Sequence, residues 1–423
     1  MTDHALTLES ARALDAADPL RHFADRFHHP TRDGDRLIYL CGNSLGLQPK
    51  TVRETIDVEL EDWAALAVAG HFEGRNPWYD YHEFCSEAAS HIVGARQHEV
   101  VMMNALTVNL HLLMVSFYRP TPTRYKILCE AGAFPSDRYA VASQARFHGF
   151  DPDDAVVEFA PREGETLIRE EDVEAWLEEH GDSVALLMFG GVNYYTGQLF
   201  DMERLTKAAH KAGAVAGFDL AHAAGNAPLR LHDWDVDFAV WCSYKYINSG
   251  PGGVAGAFVH DRHAQDAELP RFSGWWGNDS KTRFTMPLEF EPQRGAGGWQ
   301  VSNAPVLSMA AFRASGSLFL EATMPALRKK SEMLTASLLA SLDALGGDVI
   351  EVISPREPER RGCQLSLRVR KHASDLQAAL EAAGVVGDFR PPDVIRMAPT
   401  PLYNSFEDVW RFVEVLRAVT APR

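Results

Sequence analysis

The sequence predicts an α/β protein whose large domain contains a mostly parallel sheet and is followed by a smaller C-terminal α+β domain. Three observations support this fold class. Between residues 85 and 305, short apolar segments alternate with segments of helical periodicity, which is the pattern of parallel strands joined by helices. After Pro305 the pattern changes to a long helical segment, two strands and two further helices. With 423 residues, the chain is long for a single hydrophobic core.

The N-terminal arm, residues 1–84, is predicted to contain two helices and one strand. Apolar residues recur with helical spacing over 5–28 and over 50–69. Between these helices, LIYLCGNSLG at 37–46 has the pattern of a short strand that runs into a glycine-containing turn. We therefore expect the arm to be mainly helical.

The large domain, residues 85–305, is predicted to contain six strands, each of them a short apolar segment. They lie at 125–130, 156–159, 184–191, 214–219, 237–244 and 253–260. Helical segments such as 171–180 and 202–213 fall between them. Because parallel neighbours need crossover connections, this alternation predicts a largely parallel sheet.

The small domain, residues 306–423, is predicted to begin with one long helix over about 308–345. The remaining elements are strands at 349–354 and 363–369 and helices at 374–383 and 406–418.

Charge and cysteine usage limit the expected partners and compartment. The formal net charge of -17 disfavours contact with phosphate backbones and anionic lipids, and the sequence has no long basic cluster. Five widely separated cysteines form no C-x-x-C pair, which disfavours a zinc knuckle or a disulfide framework. The N-terminus has no apolar signal segment. We expect a cytoplasmic protein that binds neither nucleic acid nor membrane.

The segment GFDLAHAAGN at 217–226 places Asp219 at the end of a predicted strand and His222 shortly after it. Ligands of open α/β sheets bind beyond the carboxyl ends of the strands, so both side chains are candidates for a site there. The alternative is structural: Asp219 caps a following helix and His222 is a packing residue.

The next strand, DFAVWCSY, runs directly into Lys245 and a glycine-rich turn. Trp241, Tyr244 and Tyr246 surround this lysine, whereas most lysines lie on the solvated surface. Burial lowers the pKa of a lysine and makes its amine nucleophilic, as Schiff-base chemistry requires. An aspartate that keeps a pyridine nitrogen protonated is the second requirement of a pyridoxal phosphate site. Lys245 and Asp219 together predict this cofactor.

Leu106 and Thr107 are the candidates for binding the cofactor phosphate. They stand at the start of a predicted helix, where backbone N–H groups and a hydroxyl can bind an anion. Thr107 as a plain N-cap is the alternative. The sequence contains no P-loop and no strand-linked G-x-G-x-x-G, which disfavours the competing nucleotide sites.

Eight motifs make the sequence resemble the kynureninase family, whose members are pyridoxal phosphate-dependent enzymes of fold type I in the aspartate aminotransferase superfamily. The motifs are YLCGNSLG (39–46), FPSDRY (134–139), YYTGQ (194–198), GFDLAHAAGN (217–226), FAVWCSYKY (238–246), GPGGVAGAFVH (250–260), SGWWG (273–277) and VSNAP (301–305). They span most of the chain.

The resemblance implies a hydrolase that cleaves the Cβ–Cγ bond of L-kynurenine and/or 3-hydroxy-L-kynurenine. The products are anthranilate or 3-hydroxyanthranilate and L-alanine, in tryptophan degradation or NAD biosynthesis. It also implies a homodimer with active sites at the subunit interface.

The resemblance further implies a role for each matching residue. Lys245 is the Schiff-base lysine and the base for the Cα proton, and Asp219 is the partner of the pyridinium. Tyr244 is the candidate proton relay. The implied cofactor contacts are Leu106, Thr107, Phe134, Asp137, Asp219, His222, Tyr244 and Lys245, with Trp275 and Asn303 reaching the cofactor from a second subunit. The implied substrate contacts are Ser44, His71, Ser302, Asn303 and Arg396, and Arg396 receives the α-carboxylate.

Two positions bear on how far the resemblance extends. Where some kynureninases have a serine near the cofactor, this chain has Gly190 and Gly191, so that side-chain contact is not carried over. His71 and the pair Ser302-Asn303 resemble the animal enzymes that favour 3-hydroxykynurenine. The alternative for His71 is a helix C-terminal histidine.

Two other functions remain open at this point. Another fold type I enzyme, such as a cysteine desulfurase or selenocysteine lyase, needs a nucleophilic cysteine in a mobile loop, and Cys363 is the candidate. A non-catalytic pyridoxal phosphate-binding protein is the second alternative. The presence of Lys245, Asp219 and Arg396 disfavours it.

Overall fold

A computed structural model describes residues 5–346 and 349–421 of the protein. The predicted arm and small domain also include residues 1–4, 347–348 and 422–423, which lie outside the described residues. Among the described helices, none combines the length and the apolar character that a membrane crossing requires.

The N-terminal arm contains short elements joined by irregular backbone. They are α1 (Leu8–Ala17), β1 (Thr31–Arg32), β2 (Asp35–Arg36), β3 (Ile38–Tyr39), α2 (Thr51–Leu66), α3 (Gly70–Glu73) and α4 (Ser86–Val93). The helix predicted over 5–28 is shorter than expected, since α1 ends before Asp18 and only a 3-10 turn, Arg21–Arg26, follows. Pro19 explains this end, because the residue before a proline avoids helical backbone.

The large sheet and its helices occupy the middle of the chain. In order, the elements are β4 (Val100–Met102), α5 (Leu106–Phe117), β5 (Lys126–Glu130), α6 (Pro135–Phe147), α7 (Pro152–Ala155), β6 (Val156–Phe159), α8 (Glu170–His180), β7 (Val184–Gly190), α9 (Met202–Lys211), β8 (Val215–Asp219), β9 (Phe238–Trp241), β10 (Gly256–Val259) and α10 (Asp261–Ala264). All six predicted strands are present, each somewhat shorter than or equal to its prediction.

The seven strands lie in the order β4-β10-β9-β8-β7-β5-β6. Strands β5 to β9 pair in parallel, and β10 is antiparallel to both of its neighbours. The predicted α/β fold with a mostly parallel sheet is therefore confirmed. Apart from the edge strand β6, the parallel strands are buried almost throughout, as expected for a sheet covered by helices on both faces.

The C-terminal part builds a second, four-stranded sheet. Its elements are α11 (Val306–Ala322), α12 (Met324–Leu345), β11 (Ile350–Val352), β12 (Leu365–Val369), α13 (Ala373–Ala382), β13 (Val385–Val386), β14 (Asp388–Arg390), β15 (Val394–Met397) and α14 (Phe406–Thr420). The sheet order is β11-β12-β15-β14, and every pair in it is antiparallel. The expected α+β character is confirmed.

The single helix predicted over 308–345 is wrong, because the structure breaks it at Thr323. This residue has φ +63°, outside helical backbone, and it precedes α12. Pro325 lies in the first turn of α12, where its missing N–H costs nothing, whereas inside a continuous helix it would remove a hydrogen bond.

Hydrophobic packing crosses the predicted domain boundaries. Phe312 and Phe319 of α11 lie in the core of the large sheet, and Leu338 of α12 lies in the core of the small sheet. The arm packs against the C-terminal part, since Ala11 lies in that core and β3 pairs in parallel with β13 in a separate two-stranded sheet. Boundaries at residues 84 and 305 stay predictions.

Candidate active site

A cavity of about 190 Å³ opens at the carboxyl edge of the large sheet. Three parallel strands end at this cavity: β5 with Glu130, β7 with Gly190 and β8 with Asp219. The segment that follows β9 forms one side of the cavity. The parallel direction of these strands explains why their ends meet there. Eight of the predicted cofactor residues line this cavity: Leu106, Thr107, Phe134, Asp137, Asp219, His222, Tyr244 and Lys245.

Two helix N-termini face the cavity without side-chain caps. Ala105 precedes α5 and Phe134 precedes α6, and neither donates or accepts a capping bond through its side chain. The alternative role of Thr107 as N-cap is therefore wrong. Its hydroxyl instead lies 2.8 Å from the Ser136 hydroxyl, which joins the two helix starts. Free N–H groups and the positive ends of two helix dipoles suit a phosphate.

Asp219 is buried, and its Oδ1 accepts a 2.7 Å hydrogen bond from the Ala221 N–H. It forms a tight turn here and caps no helix. Burial raises its pKa, while the Ala221 N–H and the charge of Lys245 lower it. Burial raises the pKa of Asp137 well above its usual range, and the charge of Asp219 raises it further. Of the two neighbouring carboxyls, we assign the proton to Asp137 and the negative charge to Asp219.

Lys245 is half-buried, with its Nζ 5.8 Å from the centroid of the Phe134 ring. The N-terminal arm contacts the backbone beside this lysine, since the Gly46 N–H donates a 2.8 Å hydrogen bond to the carbonyl of the preceding residue, Tyr244. A Cβ at position 46 would lie 2.3 Å from the Lys245 carbonyl oxygen, so the close approach requires glycine.

Tyr244 and His222 complete the wall of the cavity. Burial raises the pKa of the Tyr244 phenol, with a further contribution from Cys242, so the phenol keeps its proton at neutral pH. Burial lowers the pKa of His222 well below its usual value, and the charge of Lys245 lowers it further. His222 is therefore neutral at pH 7, with one ring nitrogen available as an acceptor.

This arrangement fits pyridoxal phosphate. The uncapped helix N-termini suit its phosphate, and the Phe134 ring suits its flat ring. Asp219 suits the ring nitrogen, and the Lys245 amine suits its aldehyde.

Arg396 does not line the cavity but lies behind one of its walls. The side chain is only 1% exposed and forms an ion pair with Asp388, its cross-strand neighbour on β14. Its Nη1 donates to the Tyr194 carbonyl at 2.8 Å, and Tyr194 does line the cavity. Nε of Arg396 has no hydrogen-bond partner among the described residues.

Five other predicted residues lie outside the cavity of this chain. Ser44 belongs to the turn that contacts the Tyr244 backbone, and His71 lies in α3 with Nδ1 3.0 Å from the Val68 carbonyl. Trp275 is 42% exposed, and Ser302 and Asn303 are also exposed. The chain by itself therefore does not place these five side chains in the cavity.

Sequence reasoning missed Glu130, Ser136 and Tyr194, which also line the cavity. Glu130 carried a usable signal, because it is an acidic residue at the end of a correctly predicted parallel strand, as Asp219 is. Ser136 lies inside the FPSDRY motif, between the predicted residues Phe134 and Asp137.

Cys363, the candidate nucleophile of the alternative function, is completely buried. It precedes β12 and packs with Tyr246 and Ala398. Burial raises its pKa to about 12, so the thiol is neutral and unreactive. The structure therefore disfavours a desulfurase mechanism based on this residue.

A possible metal-binding group lies at the opposite edge of the sheet. Ligand atoms of Glu99, His232 and His260 fall within 4.8 Å of one another. Glu99 already accepts hydrogen bonds of 2.8 Å from His232 Nδ1 and from the Arg96 and Asp261 N–H groups. These bonds satisfy its carboxylate, so we interpret the group as structural.

Comparison with known proteins agrees with this architecture. The model of the kynureninase C-terminal domain matches residues 327–416. The chain is 58% identical to the kynureninase of Myxococcus xanthus over 407 residues, covering 96% of each chain. It is 50% identical to the kynureninase of Nematostella vectensis, covering 97% of this chain and 93% of that protein.

Solved structures support the fold. The cysteine desulfurase of Thermococcus onnurineus NA1 has a TM-score of 0.73 at 18% identity, covering 90% of this chain and 94% of that chain. The cysteine desulfurase CsdA of Escherichia coli has a TM-score of 0.75 at 18% identity, covering 94% of this chain and 97% of that chain. At this identity the likeness concerns the fold alone. The full-length identity to curated relatives places the chain in the kynureninase family.

Proposed function

We propose that this protein hydrolyses the Cβ–Cγ bond of L-kynurenine and/or 3-hydroxy-L-kynurenine with pyridoxal phosphate as cofactor. The products are anthranilate or 3-hydroxyanthranilate and L-alanine, in tryptophan degradation or NAD biosynthesis. One observation carries the proposal: Lys245, Asp219 and Phe134 line one cavity at the carboxyl edge of the sheet, in a chain of this family.

Bound pyridoxal phosphate supplies an electron sink for the negative charge that develops at the substrate Cα. Asp219 would face the ring nitrogen of the cofactor, where its buried negative charge would favour a proton on that nitrogen. Lys245 would bind the cofactor through its amine, and the same amine would serve as the base for the Cα proton of the substrate. Tyr244 donates a proton from its phenol to the carbon that becomes the methyl group of alanine.

Arg396 binds the substrate α-carboxylate with its planar guanidinium. Asp388 and the Tyr194 carbonyl hold this group in one orientation behind the cavity wall. The remaining Nε–H is available for a new hydrogen bond, which supports the proposal.

We further propose a homodimer in which a second copy supplies Trp275 and Asn303 to the cofactor site, and Ser302 together with Asn303 to the substrate site. Exposed aromatic side chains support an interface on that side of the chain. Phe72, Trp275 and Phe284 are 60%, 42% and 52% exposed, and Phe284 contacts the other two rings. His71, next to Phe72, would then lie at the aryl end of the substrate. The five free cysteines support a reducing, cytoplasmic location.

Product analysis with the purified, cofactor-loaded protein tests the function. With L-kynurenine we expect equal amounts of anthranilate and L-alanine, and 3-hydroxykynurenine is assayed in parallel to rank kcat/KM. Release of sulfide equivalents from L-cysteine, with no cleavage of either kynurenine, would contradict the proposal and favour a desulfurase. Cys363→Ser is the control, and it should leave kynurenine cleavage unchanged.

A further inference from the structure

Glu130 is a buried acid in the cofactor cavity that the proposed mechanism does not use. It is the last residue of β5, and its side chain is 4% exposed. It lines the same cavity as Asp219, Asp137 and Lys245. Burying a carboxyl group is costly unless its oxygens are hydrogen-bonded, so its position needs an explanation.

The hydrogen bonding of this carboxyl group is sparse. The Gly190 N–H is shared between the two oxygens, at 3.1 Å from each. Among the described residues, no other side chain donates a hydrogen bond to it. The Gly190 N–H and the backbone N–H of Glu130 itself are weak support for a buried carboxylate anion, which normally accepts two or three good hydrogen bonds. The contacts therefore favour a carboxyl group that carries a proton or receives one easily.

Gly190 also leaves the space in which this group lies. A Cβ at position 190 would be 2.8 Å from Oε1 of Glu130, closer than a real contact allows. The glycine at the end of β7 therefore leaves room for the carboxyl group of the glutamate at the end of β5. A side chain at position 190 would have to push the carboxyl group away.

The titratable groups facing Glu130 come from several elements around the cavity. They are Asp219 at the end of β8, Asp137 on α6, His222 after β8, and Tyr244 and Lys245 after β9. Burial raises the pKa of Glu130 to about 7, and the charge of Asp219 raises it further, whereas backbone N–H groups lower it. A change of its protonation therefore falls in the neutral pH range.

We propose that Glu130 is a positioning residue of the cofactor site, seated in the space left by Gly190, whose proton sets the charge balance around Asp219 and Lys245. The inference rests on the proposed function, because it assumes that Lys245 binds the cofactor. When Glu130 is protonated, Asp219 is the main negative charge facing the ring nitrogen. When Glu130 is ionised, the added charge favours a proton on the Schiff base.

The test is a spectroscopic pH titration of the cofactor-loaded protein, without substrate. In the unmodified protein, the absorbance of the Schiff base should change with pH in a broadened curve, since two linked groups titrate. Glu130→Gln keeps the acceptor for the Gly190 N–H but cannot ionise. It should narrow the curve to a single step and lower the apparent Schiff-base pKa by about 1 unit, because a nearby negative charge is lost.

Two further variants make the result decisive. Glu158→Gln changes an acid of the neighbouring strand β6 that pairs with Arg138 outside the cavity, and it should titrate as the unmodified protein does. Gly190→Ala should weaken cofactor binding several-fold by displacing the Glu130 carboxyl, measured as the cofactor dissociation constant. If Glu130→Gln failed to fold, the cofactor affinity of Gly190→Ala and the titration of the unmodified protein would still test the inference.

A one-step curve in the unmodified protein that Glu130→Gln leaves unshifted would overturn the inference. The same holds if Gly190→Ala binds the cofactor as tightly as the unmodified protein. Absence of any Schiff-base absorbance in the unmodified protein would instead contradict the proposed role of Lys245, and with it the proposed function.

Discussion

The cavity holds three acidic side chains and one lysine, and their environments differ. Asp219 has a backbone donor at 2.7 Å, whereas Oδ1 of Asp137 is buried without a partner among the described residues. The carboxyl with the backbone donor keeps the charge, and the other keeps the proton. Assignment of acid and base roles at this site therefore follows from hydrogen bonding rather than from residue type.

Replacing Lys245 tests the centre of the proposal at the residue scale. We expect Lys245→Ala to lose the borohydride-reducible Schiff-base absorbance. Turnover of kynurenine should fall by roughly 10²–10⁴-fold, because the base for the Cα proton is gone. Absorbance spectra and steady-state rates measure both effects. Lys207→Ala, on the exposed face of α9, is the control. A variant with normal absorbance and turnover would show that another residue binds the cofactor.

Asp388 tests how Arg396 is held. Asp388→Asn removes the charge that orients the guanidinium but leaves the cavity lining intact. We expect KM for kynurenine to rise about tenfold, equivalent to ~1.4 kcal/mol, with a smaller change in kcat. The Schiff-base absorbance should stay unchanged. Arg396→Lys should raise KM further, since a single ammonium cannot bind a carboxylate in two places. An unchanged KM in both variants would contradict a carboxylate-binding role.

At the scale of elements, the amino edge of the large sheet is held together by Asp237, which precedes β9. It accepts hydrogen bonds from His210 Nε2 at 2.8 Å, His263 Nε2 at 2.7 Å and the Ala216 N–H at 2.7 Å. Arg262 of α10 also pairs with it. One carboxylate thus links α9, β8, β9 and α10, opposite the cavity.

These contacts predict a pH-dependent contribution to stability. Burial acts against the Asp237 carboxylate, yet hydrogen bonds from its histidine partners and the charge of Arg262 hold its pKa below the ordinary value. A lowered folded-state pKa stabilises the fold above the unfolded-state pKa, near 3.9, and the effect is lost as pH falls below it. Asp237→Asn should therefore cost roughly 3 kcal/mol at pH 7, because it removes the buried carboxylate that pairs with Arg262 and leaves Asp235 as the remaining acidic partner of that guanidinium.

Urea unfolding between pH 3 and pH 8 measures this contribution. The free energy of unfolding should differ between Asp237→Asn and the unmodified protein by a constant amount from about pH 5 to pH 8. This difference should shrink below about pH 4. Asp233→Asn, whose exposed carboxylate pairs with Arg230, should change stability by less than about 1 kcal/mol. If this difference grew as the pH fell below about 4, the Asp237 pKa would not be lowered in the folded state, and the prediction would be wrong.

At the scale of the whole molecule, a single chain does not bring all the predicted site residues together. Lys245 lies in the cavity, whereas Trp275 is exposed elsewhere on the chain. A symmetric dimer would resolve this, because a two-fold interface brings the same surface of each copy to the other. Each active site would then take Lys245 from one subunit and Trp275 from its partner.

Subunit mixing tests this shared site. Lys245→Ala and Trp275→Ala proteins are each expected to have low activity. After exchange of subunits, half of the dimers contain one of each, and each such dimer has one intact site. We therefore expect recovery to about one quarter of the unmodified activity. Activity that stays at the mean of the two parents would place both residues in the same subunit's site, or the protein in a monomeric state.

The order of elements and the central chemistry were predictable from the sequence. Alternation of apolar strands with helices, and the position of Asp219 and Lys245 at strand ends, are local features of the chain. Parallel strands bring their carboxyl ends to one edge, so local position was enough to place both residues in one cavity. The break at Thr323 was also foreseeable from Pro325, but the apolar spacing dominated the prediction.

Contacts between distant parts of the chain were decided only by the tertiary structure. The sequence by itself determined the fold class and the Lys245–Asp219 pair, because periodicity and strand ends are properties of neighbouring residues. It did not determine that Glu130 lies in the space left by Gly190, that Asp388 holds Arg396, or that β3 pairs with β13. Each of these joins residues of separate segments, and their burial and charge depend on which side chains the fold brings within a few ångströms of one another.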